Sequence, residues 1–158
     1  MTRLILASGS PYRKELLQRL YIEFECISPE IDESSLENEQ PGAYVQRLAI
    51  EKAAEIGKSH ADCLIIGSDQ CCVNNNIILG KPRDRNNAIE QLRAASGKRI
   101  EFLTGVSIQH PKSGRHQEWM DTFSVEFRQL SIDEIERYLD VEQPFNCAGS
   151  FKSEKLGI

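Results

Sequence analysis

Residues 3–14 read RLILASGSPYRK. The apolar run at 3–7 predicts a short buried strand, and Ser8-Gly9-Ser10-Pro11 predicts the turn that leaves it. Ser10 suits a helix N-cap, and Pro11 suits the first helical position, where no backbone N–H is needed. Leu16, Leu17 and Leu20 then supply the expected buried stripe of that helix. A strand that feeds directly into a helix is the opening of an α/β unit.

Working outward, residues 22–27 (IEFECI) predict a second strand, followed by the acidic loop 28–39. A helix is expected over 42–57, with Tyr44, Val45, Leu48, Ala49 and Ala53 on one side. Residues 63–67 (CLIIG) predict a strongly apolar strand that ends at Ser68-Asp69-Gln70. Residues 71–79 predict a hairpin around Asn74-Asn75-Asn76. A helix follows over 86–95, two strands over 99–109 and 118–128 joined at Pro111-Lys112-Ser113-Gly114, and a helix over 132–139 that begins at Ser131. Asp133 and Glu134 fall in the first turn of that helix, where its dipole favours negative charge. Strands and helices alternate and a long hairpin interrupts them, which predicts a mixed α/β fold. No internal repeat or linker divides the chain.

The bulk numbers fit an ordinary globular domain: 158 residues, 40% hydrophobic and 27% charged. The net charge of -5 argues against a general nucleic-acid binder. No apolar run reaches membrane-spanning length, and the N-terminus lacks the long apolar core of a signal peptide, so a cytoplasmic protein is expected. Five cysteines without a C-x-x-C pair suggest reduced thiols instead of a disulfide framework or a zinc site. Three histidines without metal spacing leave carboxylates and a hard cation as the expected metal chemistry.

Five places could carry chemistry, and each has a plainer reading. The turn at 8–14 aims free N–H groups and two cations, Arg13 and Lys14, at one point, as an anion site does; it also reads as a capped helix with two solvated basic residues. Asp69 stands just beyond an apolar strand, where α/β ligands gather, and could hold a metal or activate water; it also reads as a turn residue. In 29–33, PEIDE, one carboxylate could join Asp69 around a metal, or the loop is simply acidic and solvated. Lys81, in Gly80-Lys81-Pro82, could meet a phosphate or be a surface lysine. Lys52, in RLAIEKAAE, reads as a solvent-facing helical lysine.

The order of these pieces adds what no single piece carries. LASGSPYRK, PEIDE, RLAIEKA, IIGSDQ, LGKP, SGKRIEFLTGV and CAGSFKSE, in that sequence, resemble the Maf family of nucleotide pyrophosphatases from Leu6 to Ile158. The resemblance implies a Maf/ITPase-like mixed sheet with flanking helices, in two lobes around a nucleotide cleft, as a single domain over 1–158. It implies a hydrolase that cuts the α–β phosphoanhydride bond with Mg or Mn. Asp69 matches the catalytic acid/base and, with Glu30, the metal carboxylates. Ser8, Ser10, Arg13, Lys14, Lys52 and Lys81 match the phosphate-binding set. Tyr12, Gln70 and Glu154 match the positions that separate substrates. An aromatic residue, Gln and Glu there resemble the YceF branch, which acts on 7-methyl-GTP. The branch that acts on dTTP and UTP has a basic residue, Thr and Gln. A non-catalytic regulator linked to septum formation is the alternative from a different class. The expected partner is a small nucleotide, with neither nucleic acid nor membrane, and a homodimer is implied by resemblance alone. Family members continue past the position of Ile158, so the second lobe is expected to be shortened at its C-terminal end. No Walker-type G-x-x-x-x-G-K-[ST] occurs, so a P-loop is excluded.

Overall fold

The computed structural model describes residues 2–153 and 156–157. The predicted mixed α/β class is borne out, with six strands and four α-helices among the described residues. In chain order they are β1 (Leu4–Ala7), α1 (Pro11–Gln18), β2 (Glu25–Cys26), α2 (Pro41–Gly57), β3 (Leu64–Asn74), β4 (Ile77–Leu79), α3 (Arg85–Ala95), β5 (Arg99–His110), β6 (Arg115–Glu126) and α4 (Ile132–Glu142). The sheet order is β2-β1-β3-β5-β6, with β4 on β3. Two compact units share this chain: Met1–Asp69 with Thr104–Asp121, and Gln70–Leu103 with Thr122–Ile158. The long strands β3, β5 and β6 run through both. Among the described residues no helix is long and apolar enough to cross a membrane.

The first unit is parallel at its start. β1 pairs with β3 from Leu4↔Leu64 to Ala7↔Gly67, and with β2 at Ile5↔Glu25 and Leu6↔Cys26. This register brings the ends of β1 and its partner level, so the turn at Ser8 leaves the sheet beside Ser68 and Asp69. Ile5, Ala7, Ala53, Ile56, Cys63 and Ile65 form the core between α2 and these strands. α2 buries Val45, Leu48, Ala49, Lys52, Ala53 and Ile56, a stripe at three- and four-residue spacing.

Two glycines let that helix approach the sheet closely. A Cβ on Gly67 would stand 2.8 Å from the backbone nitrogen of Ala53 and 3.0 Å from its Cβ. One on Gly105 would stand 2.5 Å from the carbonyl oxygen of Val45. Backbone lies against backbone at both points, and no flexible side chain is there to give way.

In the second unit the end of β3 turns through Asn75 and Asn76, both at positive φ (51° and 62°), into β4. Two consecutive left-handed residues make the turn that matches strand twist, and Asn tolerates that region. α3 and α4 pack through Ala88, Leu92, Ile135 and Leu139. Ser131 and Glu134 cap each other at the start of α4: Ser131 N–H donates to Glu134 Oε2 at 2.8 Å, and Glu134 N–H to Ser131 Oγ at 3.3 Å. Those bonds and Arg128 hold the Glu134 carboxyl below its ordinary range. Cys72 is buried, which pushes its thiol up to about 12 and keeps it protonated.

Three expectations need correction. α1 buries none of its residues, and Leu16 and Leu20 are 56% and 64% exposed. That helix is anchored by its polar N-terminus instead of an apolar stripe. The second strand shrinks to Glu25–Cys26. β3 does not stop at Gly67 but continues to Asn74, so Asp69 lies within the strand. A β6 of 12 residues closes the sheet on one side, with Trp119, Met120 and Phe123 half-exposed along it.

The glycine contacts give a direct test. Gly67→Ala forces α2 away from β3 and is expected to cost about 1–3 kcal/mol, the usual range for overpacking. Urea denaturation reads this as a lower midpoint, and an unchanged midpoint would show that the helix can shift freely.

Candidate functional site

The site is built in the first unit from β1, β3, α1, α2 and the loop before α2. β3 carries Asp69 two residues past the point where Gly67 meets α2. α2 carries Lys52, one position before the Ala53 that makes that contact. The close approach therefore determines where the ammonium can reach. Lys52 Nζ lies 2.6 Å from Asp69 Oδ1, and both residues are buried, at 6% and 8% exposure. The same nitrogen lies 2.7 Å from Glu33 Oε1. One buried ammonium thus stands between two carboxylates. Burying a lone charge is prohibitive, and pairing with hydrogen bonds is what makes it tolerable.

Arg13 approaches Asp69 from α1, with Nη2 at 3.9 Å from Oδ1. Burial lowers its pKa from the ordinary arginine value, against the opposing pull of Asp69 and Glu33, and the group remains a cation. Ser8 is buried, and its hydroxyl oxygen accepts from the Ser10 N–H at 3.1 Å and from Arg13 Nη1 at 3.4 Å. Ser10 caps α1 as expected, accepting from the Arg13 N–H at 3.4 Å. The turn at 8–13 is thereby fixed against the end of β1.

The sequence-predicted residues divide by what the structure brings together. Asp69, Lys52, Arg13, Ser8 and Ser10 converge. Lys14 and Glu30 are exposed in the same unit, and neither has an ion pair or side-chain hydrogen bond among the described residues. Tyr12 is 42% exposed on α1. Gln70 and Lys81 are exposed and belong to the second unit. Glu154 lies outside the described residues.

Two differences from the sequence reading stand out. Lys52 is buried, not solvent-facing. Its position continues the stripe Val45, Leu48, Ala49 at four- and three-residue steps, and that periodicity was the available signal. Within PEIDE the carboxylate that lies against Lys52, beside Asp69, is that of Glu33, while Glu30, which the resemblance puts at the metal, is exposed in the same loop. Nothing in the loop's residue types distinguishes them, because a coil has no period from which to read direction.

The donor set fits a hard divalent cation. Two carboxylate oxygens already aim at one positive centre. No described group of three or more His, Cys, Asp and Glu side chains could form an all-protein cage. Magnesium rarely uses such a cage and takes one or two carboxylates together with substrate phosphates and water. The cluster is itself balanced, with Arg13 and Lys52 against Asp69 and Glu33. A polyphosphate arriving there adds negative charge that this balance does not cover, and a further cation would offset it.

Known proteins resemble this chain in sequence and in fold. The family described as Maf-like protein matches residues 3–158. A protein of Alcanivorax borkumensis named 7-methyl-GTP pyrophosphatase is 56% identical over 155 residues, which span 98% of this chain and 79% of that one. One of the same name from Vibrio parahaemolyticus is 49% identical over 156 residues, 99% of this chain and 80% of that one. Among solved structures, the Staphylococcus aureus Ham1 protein shares the fold at a TM-score of 0.57 and 16% identity, over 79% of this chain and 71% of that one. A HAM1 protein from Coxiella burnetii does so at 0.53 and 16%, over 80% and 73%. With the family match running through nearly every residue, this chain belongs to the Maf-like proteins.

Proposed function

We propose that this chain is a nucleoside triphosphate pyrophosphatase that hydrolyses 7-methyl-GTP to 7-methyl-GMP and pyrophosphate. Relatives named 7-methyl-GTP pyrophosphatase support the substrate. The observation that carries the reaction is the buried Asp69 carboxylate, held by Lys52 at 2.6 Å beside Arg13 and a fixed serine turn. Asp69 takes a proton from the attacking water as its oxygen bonds to the α-phosphorus. The bond from that phosphorus to the α–β bridging oxygen breaks, and its electron pair leaves with pyrophosphate. Arg13 and Lys52 meet the charge that develops, and Ser8, Ser10, Lys14 and Lys81 are the further phosphate contacts in this reading. A divalent cation, when bound, supplies hard positive charge against the phosphates. Asp69 and Glu33 are the residues that would hold it, and Glu30 is the acidic neighbour that the resemblance adds. Residues 1–158 are read here as a single domain of the family, and a reducing, cytoplasmic setting suits the five free thiols.

The base would be read by three side chains. Methylation at N7 gives guanine a positive charge spread over the ring, and the aromatic face of Tyr12 attracts such a cation by roughly 0.5–2 kcal/mol. A Glu154 carboxylate can accept from the N1–H and N2 amine edge, with assistance from the ring charge. Gln70, next to Asp69 in the chain, is the third.

Pyrophosphate release from 7-methyl-GTP, GTP, UTP and dTTP, with and without magnesium, tests the assignment. Release of pyrophosphate, fastest from 7-methyl-GTP and dependent on the metal, is expected; stepwise release of phosphate with accumulating diphosphate would show that the wrong bond was named. Asp69→Asn keeps the size and removes the base, and is expected to lower kcat by on the order of 10²–10⁴. Near-normal turnover would remove Asp69 from the chemistry. Glu154→Gln is expected to cost 7-methyl-GTP about tenfold more in kcat/KM than GTP or UTP, since about 1.4 kcal/mol is a factor of ten. Equal losses on all three would mean that Glu154 does not read the base.

The ion cluster itself can be tested by stability. Lys52→Met leaves Asp69 and Glu33 without the charge between them and is expected to cost about 3 kcal/mol or more. Adding Asp69→Asn to that variant removes the stranded carboxylate and is expected to restore part of the loss. If the double variant melts below the single one, the pair is not the unit of stability it is taken for.

A further inference from the structure

Glu33 presents a puzzle of placement. Its side chain is 58% exposed and stands on a coil segment with no packed face, yet its carboxylate lies 2.7 Å from the buried Lys52. An exposed carboxylate on coil gains little from a single ion pair and loses rotamer freedom by making it. Something other than that pair must hold the segment.

Three side chains do so. Tyr44 Oη donates to the carbonyl oxygen of Glu33 itself at 2.9 Å. Arg47 Nη2 donates to the carbonyl of Ser34 at 3.0 Å. The same guanidinium grips Glu39 with two bonds, Nε to Oε1 at 2.6 Å and Nη2 to Oε2 at 2.8 Å, and reaches Glu51 at 3.1 Å. Glu39 in turn accepts from the Leu36 N–H at 3.0 Å. Arg47 also lies over the Tyr44 ring, 5.7 Å from its centroid. Both ends of the segment 33–39 are therefore tied to one stretch of α2. That is the helix that carries Lys52 and is seated on Gly67 and Gly105.

We propose that Tyr44, Arg47 and Glu39 are positioning residues that set the Glu33 carboxylate against Lys52 and Asp69. The proposal rests on the reading that Glu33 serves the reaction. Arg is required here because its planar fork binds a carboxylate with two parallel bonds while a third donor reaches a carbonyl, and an ammonium cannot reproduce that geometry. Arg47 holds the Glu39 carboxyl down at about 2, well below the usual carboxylate range.

The test is a double-mutant cycle on 7-methyl-GTP with magnesium, joined to hydrogen exchange. Arg47→Lys is expected to lower kcat/KM about tenfold, and the milder Tyr44→Phe, which removes only a hydroxyl, about two- to tenfold, as the loss of one hydrogen bond allows. In a Glu33→Gln background each is expected to change kcat/KM by less than about twofold, because the group they place is already gone. Amides of 34–39 should exchange faster in both variants, while those of β3 keep their protection. If Glu33→Gln alone shows a clear loss but the Arg47 and Tyr44 effects add to it in full, the positioning role is overturned and the role of Glu33 stands. If Glu33→Gln is as active as the wild type, the reading of Glu33 falls and the positioning role with it. Unchanged exchange over 34–39 in both variants would overturn the grip itself, whatever the rates show.

Discussion

A single ammonium, that of Lys52, is the point on which this molecule turns. It is buried, it touches Asp69 and Glu33, and it cannot be there alone. Asp69 and Glu33 offset the cost of taking the ammonium out of water, and the ammonium does the same for the buried Asp69. The requirement propagates outward. Asp69 must lie on a strand that continues past the apolar segment, α2 must come down onto β3 without a side chain in between, and a coil must bend so that Glu33 returns to the helix. Much of the first unit is the geometric answer to these conditions.

This accounts for what could be read from the sequence and what could not. The strand–turn–helix at 3–14 was legible because its signals are local: an apolar run, a serine cap and a proline. α2, α3, α4 and the Asn75-Asn76 turn were legible for the same reason. β3 was cut short because the stretch Ser68-Asp69-Gln70 resembles a loop by residue type. Its strand conformation is sustained by the buried ion network and the neighbouring strands, which are tertiary facts. α1 misled in the other direction, since Leu16, Leu17 and Leu20 have helical spacing without a surface to cover. At the site, the order of motifs points to Asp69, Lys52, Arg13, Ser8 and Ser10, and the stripe on α2 carries the signal for the burial of Lys52. Glu33 and the residues that hold it, Arg47 and Tyr44, depend on a coil folding back onto a helix, and no periodic signal encodes that.

α2 has a double task. One side is the apolar stripe that closes the core against β1 and β3. At one place on that stripe a charge replaces an apolar residue, and Tyr44 and Arg47 hold the loop that brings its second counter-charge. A helix used in this way couples stability to the site. Whatever loosens its seat on Gly67 or Gly105 also displaces the ammonium, and the core and the chemistry are therefore not independently adjustable.

The outermost strand has a practical consequence of its own. β6 carries the sole tryptophan of the chain, Trp119, half-exposed on a strand that ends the sheet. Open sheet edges invite pairing with another chain, and charged residues spaced along such a strand oppose it. Arg115, Glu118, Asp121 and Glu126 punctuate β6 in this way. The indole is therefore an intrinsic optical reporter at a guarded edge. Its emission comes from one known position, shifts toward the blue if another surface excludes water there, and needs no introduced label.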